Sequence, residues 1–239
     1  FQKKRAALVD FEKLGFPTIK HEEWKYSNVR DMISESYAFG AESPVTVSDL
    51  EGIKIPEHSA NELYFINGHY SAELSTLVSA SDQIIVDSLY NAQINHPELV
   101  DAYFNELASN ETEAFTALNT AFAYDGVFIH VPANKTVEHP VILHFISDAR
   151  TENVGSQPRN IIAVDENAHV KFAETFRTLG EYRSLTNIVT EIHVSESAYV
   201  EYYKIQNESE NAFHVGTTQV RMMDKSHFYS ATVTLNGKF

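Results

Sequence analysis

After Gly126 the chain says nearly the same short phrase four times. Val131-Pro-Ala-Asn134-Lys-Thr-Val137 returns as Val164-Asp-Glu-Asn167-Ala-His-Val170 and again as Val194-Ser-Glu-Ser197-Ala-Tyr-Val200. A weaker fourth copy reads Met223-Asp-Lys-Ser226-His-Phe-Tyr229, so the offsets are 33, 30 and 29 residues. The phrase has a physical cause. A strand ends at the first apolar residue, a small polar residue ties backbone groups at a corner, and a new strand starts. That new strand alternates, with Ala168, Val170 and Phe172 on one side and His169 and Lys171 on the other. Self-similarity at a step of a few tens of residues marks a solenoid, in which each unit buries its apolar face only against its neighbours. With strands in each unit, the expected fold is mainly β: a right-handed parallel β-helix behind a small helical and mixed region. The competing reading is a β-sandwich with similar hairpins. It calls for more tight Asn-Gly or Asp-Gly turns than the single Asn236-Gly237 found after Gly126.

Upstream, the periodicity is helical. Ala6, Leu8, Val9, Phe11 and Leu14 predict a helix over 3–14, stopped by Gly15 and Pro17. A short helix is expected near Asn28–Ser36. Residues 39–56 are expected to be loop, marked by Gly40, Ser43, Pro44, Gly52 and Pro56. Leu63–Ile66, Asn67-Gly68 and His69–Leu74 read as strand, tight turn, strand, and Gln83–Val86 as a further strand. Two helices are expected over 98–124. Pro97 opens the first, and Asn110 with Glu113 resembles a capping box for the second. The expected organisation is a helical region at 1–38, a mixed region at 39–124 and a β-helix core at 125–239. No helix or polar cap follows the last repeat, so the expected rod ends on unpaired strand edges, which invite association.

Charge and composition narrow the function. The net charge is −15, with +3 in residues 1–30, −15 in 31–130 and −3 in 131–239. An acidic body repels phosphate backbones and argues against nucleic acid as a partner. No apolar run reaches the length of a membrane span. The absence of cysteine removes disulfides and thiolates from this segment and fits a reducing, cytoplasmic setting.

No residue earns a catalytic or metal role. Eleven histidines include His130, His139, His144, His169, His193, His214 and His227, yet none has the spacing of a helical metal site. They are expected to be surface or corner residues, with His139 and His144 on opposite faces of a strand. Asp165, Glu166 and Glu196 sit at predicted corners, where solvated acids are ordinary. A β-helix polysaccharide enzyme would need such acids to converge in a cleft. Trp24 and Tyr26, beside Lys20, Lys25 and Arg30, are read as anchors of the N-terminal segment rather than a recognition patch.

Several motifs carry a resemblance. Gly15-Phe-Pro-Thr-Ile-Lys-His-Glu-Glu-Trp-Lys-Tyr-Ser27 resembles the N-terminal signature of the SufD branch of the SufB/SufD family. Leu118-Asn-Thr-Ala-Phe122, Asp125-Gly-Val-Phe-Ile-His-Val-Pro132 and Glu138-His-Pro-Val-Ile142 resemble the segment that opens that family's β-helix. The resemblance implies a non-enzymatic scaffold in iron–sulfur cluster assembly, paired with a SufB-like subunit and a SufC-like ABC ATPase. It implies no cofactor held by this segment, the cluster and a flavin being handled by the assembled complex. It also implies that the catalytic contact lies outside these residues. A free-standing β-helix that homodimerises through its edge is the other non-enzymatic reading.

Overall fold

The computed structural model describes residues 2–51 and 59–239; the expected loop markers Gly52 and Pro56 lie outside them. Helix α1 (Gln2–Leu14) ends at Gly15, whose φ of 65° allows its N–H to reach the Phe11 carbonyl at 2.8 Å. Two basic residues of α1, Lys3 and Lys4, reach across to later helices. Lys3 Nζ donates to the Phe104 carbonyl at 2.7 Å and Lys4 Nζ to the Ala123 carbonyl at 2.5 Å. Both carbonyls belong to the C-caps of later helices, where a cation is favoured.

A short α2 (Arg30–Ile33) and β1 (Ala38–Phe39) follow. The expected hairpin is β2 (Asn61–Ile66) and β3 (His69–Thr76), turning on Asn67 and Gly68 with φ of 50° and 85°. Then come β4 (Ile85–Ser88), α3 (Leu89–Asn95), α4 (Pro97–Tyr103) and α5 (Ala114–Phe122). The sequence reading missed α3, although Ser88 caps it by accepting the Asn91 N–H. It also began α5 too early. Glu113 is itself the N-cap, accepting the Thr116 N–H at 2.8 Å, and Asn110 lies outside the helix.

The remaining chain winds through β5 (Val127–Val131), β6 (Val141–Asp148), β7 (Val154–Ser156), β8 (Arg159–Val164), β9 (His169–Leu179), β10 (Ser184–Val194), β11 (Tyr199–Asn207), β12 (Ala212–Met222) and β13 (His227–Asn236). Strands alternate between two sheets. One holds β5, β8, β10 and β12 side by side, with β7 running on the same rung as β8. The other runs β13-β11-β9-β6-β2-β3. Pro158 falls between β7 and β8, where its missing N–H interrupts the ladder. Every pairing between successive coils is parallel, so the layers are a solenoid of four coils and not an antiparallel sandwich. The antiparallel strands β3 and β4 close its first end.

The repeated phrase is the corner. Asn134, Asn167 and Ser197 have φ of 62°, 56° and 57°, a left-handed conformation that Asn tolerates better than most residues. Each corner also bonds the next: Asn134 N–H to Glu166 O at 2.9 Å, Asn167 N–H to Glu196 O at 3.1 Å, and Ser197 N–H to Asp224 O at 3.1 Å. The fourth corner departs from the expected alignment. Lys225, not Ser226, takes φ 57°, and Val194 pairs with Met222, so the step is 28 residues. A step of 29 would turn Tyr229 into the core and Phe228 out to solvent. The realised step sets Phe228 against Tyr202, and core burial decides the register.

Between the sheets lies one apolar core with aromatic ladders. Phe65, Phe145 and Phe176 stack with centroids 5.1 and 5.2 Å apart, and Phe172 lies 4.8 Å from Tyr202. Outside the first sheet, α4, α5 and their linker are held by a buried ion pair. Arg159 Nη2 lies 2.6 Å from Glu191 Oε1, both fully buried. Arg159 also donates to Asn105, Asn119 and Thr120, and Glu191 accepts the N–H groups of Asn105, Leu107 and Ala108. Burial pushes the Glu191 carboxyl up, but Arg159 and these N–H donors outweigh it and hold the group below its usual range. Gly126 sits where any Cβ would overlap the Arg159 backbone, at φ 152°.

Two outcomes are expected. Lys225→Asn should raise stability by about 0.5 to 1 kcal/mol, because Asn takes the left-handed conformation at lower cost; urea unfolding reads this. Arg159→Ala should cost about 3 to 5 kcal/mol by leaving the Glu191 carboxylate buried and unpaired, and a retained urea midpoint would remove the pair from the account of the fold.

Candidate functional site

The interior of the solenoid turns polar toward its last coils. In-register positions of the second sheet read Leu63, Leu143, Glu174, Lys204 and Thr232. The facing ladder of the first sheet reads Asn160, Thr190 and Thr218. Glu174 is fully buried and accepts three hydrogen bonds: from Asn160 Nδ2 at 2.8 Å, Thr190 Oγ1 at 2.7 Å and Tyr202 OH at 2.6 Å. Burial first, and the Glu174 carboxylate second, push the Tyr202 phenol far above its ordinary range. It remains a donor at any working pH.

Next to this cluster, Lys204 is 8% exposed and lies 5.1 Å from the Phe176 ring centroid. Burial lowers its ammonium pKa, opposed by Glu174 and Glu208. Among the described residues no carboxylate oxygen lies within 4 Å of its Nζ. His214 is also 8% exposed, and its Nδ1 lies 3.0 Å from Glu208 Oε2. Burial depresses the His214 imidazole, with Glu208 acting in the opposite sense. Five titratable groups, Glu174, Tyr202, Lys204, Glu208 and His214, therefore cluster at this part of the solenoid. They can hold charge or a proton there.

The sequence reading passed over this cluster. Its signal was present: Glu174 and Lys204 occupy in-facing positions of the alternations Val170, Phe172, Glu174, Phe176 and Val200, Tyr202, Lys204. A charge on the apolar side of a strand is the readable mark of a buried polar site.

The other candidates lie apart. His144 is buried, stacked 4.3 Å from Tyr64 and 2.9 Å from Thr175 Oγ1, so it is not the surface residue expected. The expectation of surface or corner residues also misses His193 and His214, each at most 9% exposed. His139 sits on the solvent side near the Ser59 carbonyl. His169 and His227 flank Tyr199 in an outward ladder, at 5.7 and 6.0 Å. His130 meets Asp165 at 2.9 Å. No group of three or more His, Cys, Asp or Glu able to hold a metal is present among the described residues. Glu166 and Glu196 are exposed at their corners, while Asp165 is partly covered. Trp24 packs on Phe115 at 5.1 Å, as an anchor should, but Tyr26 is 93% exposed and anchors nothing. An apolar cleft of about 740 Å³ opens between α2, α5 and the first sheet, walled by Phe16, Tyr37, Phe39, Phe115, Phe122 and Tyr124. No helix among the described residues is long and apolar enough to cross a membrane.

Tyr202→Phe removes one of three donors from a buried carboxylate. It should cost about 1 to 3 kcal/mol in urea unfolding, and a loss below a few tenths would mean that Glu174 does not depend on it.

Comparison with known proteins covers nearly the whole chain. Residues 2–143 match the family described as SufBD protein N-terminal region, and residues 145–239 match SUF system FeS cluster assembly, SufBD core domain. An iron–sulfur cluster assembly SufBD family protein of Synechocystis is 26% identical over 244 residues, 99% of this chain and 54% of its own length. Relatives carrying the same description in Staphylococcus haemolyticus and Staphylococcus saprophyticus are 31% and 29% identical, over 68% and 72% of this chain and 36% and 38% of theirs. The chain thus spans about half the length of the first of these relatives and less of the others. With both halves of the fold matched in order, the chain belongs to the SufBD family of iron–sulfur cluster assembly proteins.

Proposed function

We propose that the chain is the SufD-like, non-catalytic partner in a SufBCD-type assembly, pairing with a SufB-like subunit and a SufC-like ABC ATPase in the cytoplasm. The observation that carries this reading is the parallel pairing of four successive coils. In a stack of this kind each coil packs on its neighbours alone, so a displacement applied at one end moves the whole rod. That is what a support for a nucleotide-driven partner has to do. The signature from Gly15 to Ser27 favours the SufD branch. The iron–sulfur cluster is cargo in this reading. A flavin, where the family implies one, belongs to the assembled complex, and no residue of this chain is assigned to it.

The full-length protein, co-expressed with SufB-like and SufC-like partners, is expected to co-elute with both in size-exclusion chromatography. A homodimer that excludes both partners under the same conditions would sink the proposal in favour of the free-standing module.

A further inference from the structure

The segment between α1 and β1 lies lightly on the solenoid. Of residues 15–37 only Pro17, Val29 and Met32 are buried. The apolar cleft lies between this segment and α5, with the starts of β7 and β10 as its floor. Helix α5 gives it one wall. Phe115, Leu118 and Phe122 follow each other by three and four positions and share a face. Phe115 is buried under Phe16 and Trp24, but Phe122 is 55% exposed, so the far end of that face is not covered by the fold.

The opposite side is also aromatic. Phe39 is 53% exposed and lies over Gly155, where a Cβ would stand 2.6 Å from its ring. The missing side chain at Gly155 is what lets the ring rest on the strand. Tyr124 is 57% exposed at the mouth, with its ring 4.9 Å from that of His69. Single apolar residues at a surface are ordinary. Three half-exposed rings that converge on one concavity of about 740 Å³ are not, and the volume is that of a small-molecule site.

The polar groups of the lining narrow the ligand. No lysine or arginine lines the cleft among the described residues, and its one carboxylate, Glu35, lies 3.7 Å from Arg183 Nη2. A charged ligand would lose its hydration there without a free counter-charge. Asn187, at the floor, is 2% exposed. Its Nδ2 donates to the Phe115 carbonyl at 2.9 Å and to Gln157 Oε1 at 3.1 Å, while its Oδ1 is buried with no hydrogen-bond partner among the described residues. A buried acceptor left in this way is costly, and an N–H or O–H of a ligand would relieve it.

We propose that this cleft is a binding site for an uncharged aromatic small molecule that carries one hydrogen-bond donor. The rings of Phe39, Phe122 and Tyr124 hold its faces and edges, and Asn187 at the floor sets its polar end. The site is independent of which partner subunits the protein has.

The test uses the full-length protein and the neutral dye N-phenyl-1-naphthylamine, whose emission rises in an apolar site. Saturable binding of one dye per chain is expected. Part of the dye emission should be excitable through tryptophan and be lost in Trp24→Phe, because Trp24 rests on Phe115 of the cleft wall. Phe39→Ala and Phe122→Ala, at half-exposed positions that the fold does not depend on, should each weaken binding about fivefold. Tyr182→Ala and Tyr229→Ala, exposed rings outside the cleft, should leave it unchanged. In competition, 2-naphthol should displace the dye at lower concentration than 2-methoxynaphthalene, which has no donor, or 1-decanol, which has no ring. Equal or reversed order overturns the assigned ligand class. Dye uptake that does not saturate, or that ignores both wall substitutions, overturns the site itself. So does a full-length protein that takes up no dye, since the cleft is then covered by the rest of the chain.

Discussion

Everything in this molecule hangs on coils that lie one above another with their strands paired in parallel. Each inner strand satisfies its backbone groups from the coil below and the coil above, and the corners are joined in the same way through residues such as Asn134 and Asn167. The left-handed corner residue lets a strand leave one sheet and enter the other within four residues. Without it, the apolar faces that form the central core would have no common side to share. The helices and N-terminal segment are secondary to this frame. They lean on its first sheet through one buried ion pair and through lysines placed at helix ends.

Much of this was written in the residues. The alternation after Ala168 and the recurrence of Val-x-x-Asn/Ser gave strands, corners and winding together, because strand period and repeat step are both local quantities. The Asn67-Gly68 turn was visible for the same reason. Three features were less readable. The fourth corner depended on whether Phe228 or Tyr229 enters the core, and that is settled by the ring it meets on a neighbouring coil, not by its own neighbours in the chain. The charged interior depended on recognising that the alternation which buries Phe172 also buries Glu174. Helix α3 was missed because seven residues hold too little periodicity to stand out, even behind a good cap.

The two halves of the solenoid interior follow different rules. Near β2 and β6 it is filled by Leu and Phe and gains stability simply from area removed from water. Near β11 and β12 it carries carboxylates, an ammonium and an imidazole, each costly to bury and tolerable only with donors and acceptors in place. The two parts of the interior are therefore held by different forces.

The position of Trp24 has a practical corollary. It is the single tryptophan of the chain, and its ring rests against Phe115 on α5, outside the wound strands. Indole emission from this chain thus reports on the seat that the N-terminal segment shares with Leu185, Phe213 and Val215 of the coil. Detachment of that segment would redden and brighten or dim the signal while far-ultraviolet dichroism of the strands stayed constant. Read together with the dichroism, the chain's tryptophan separates undocking from unwinding.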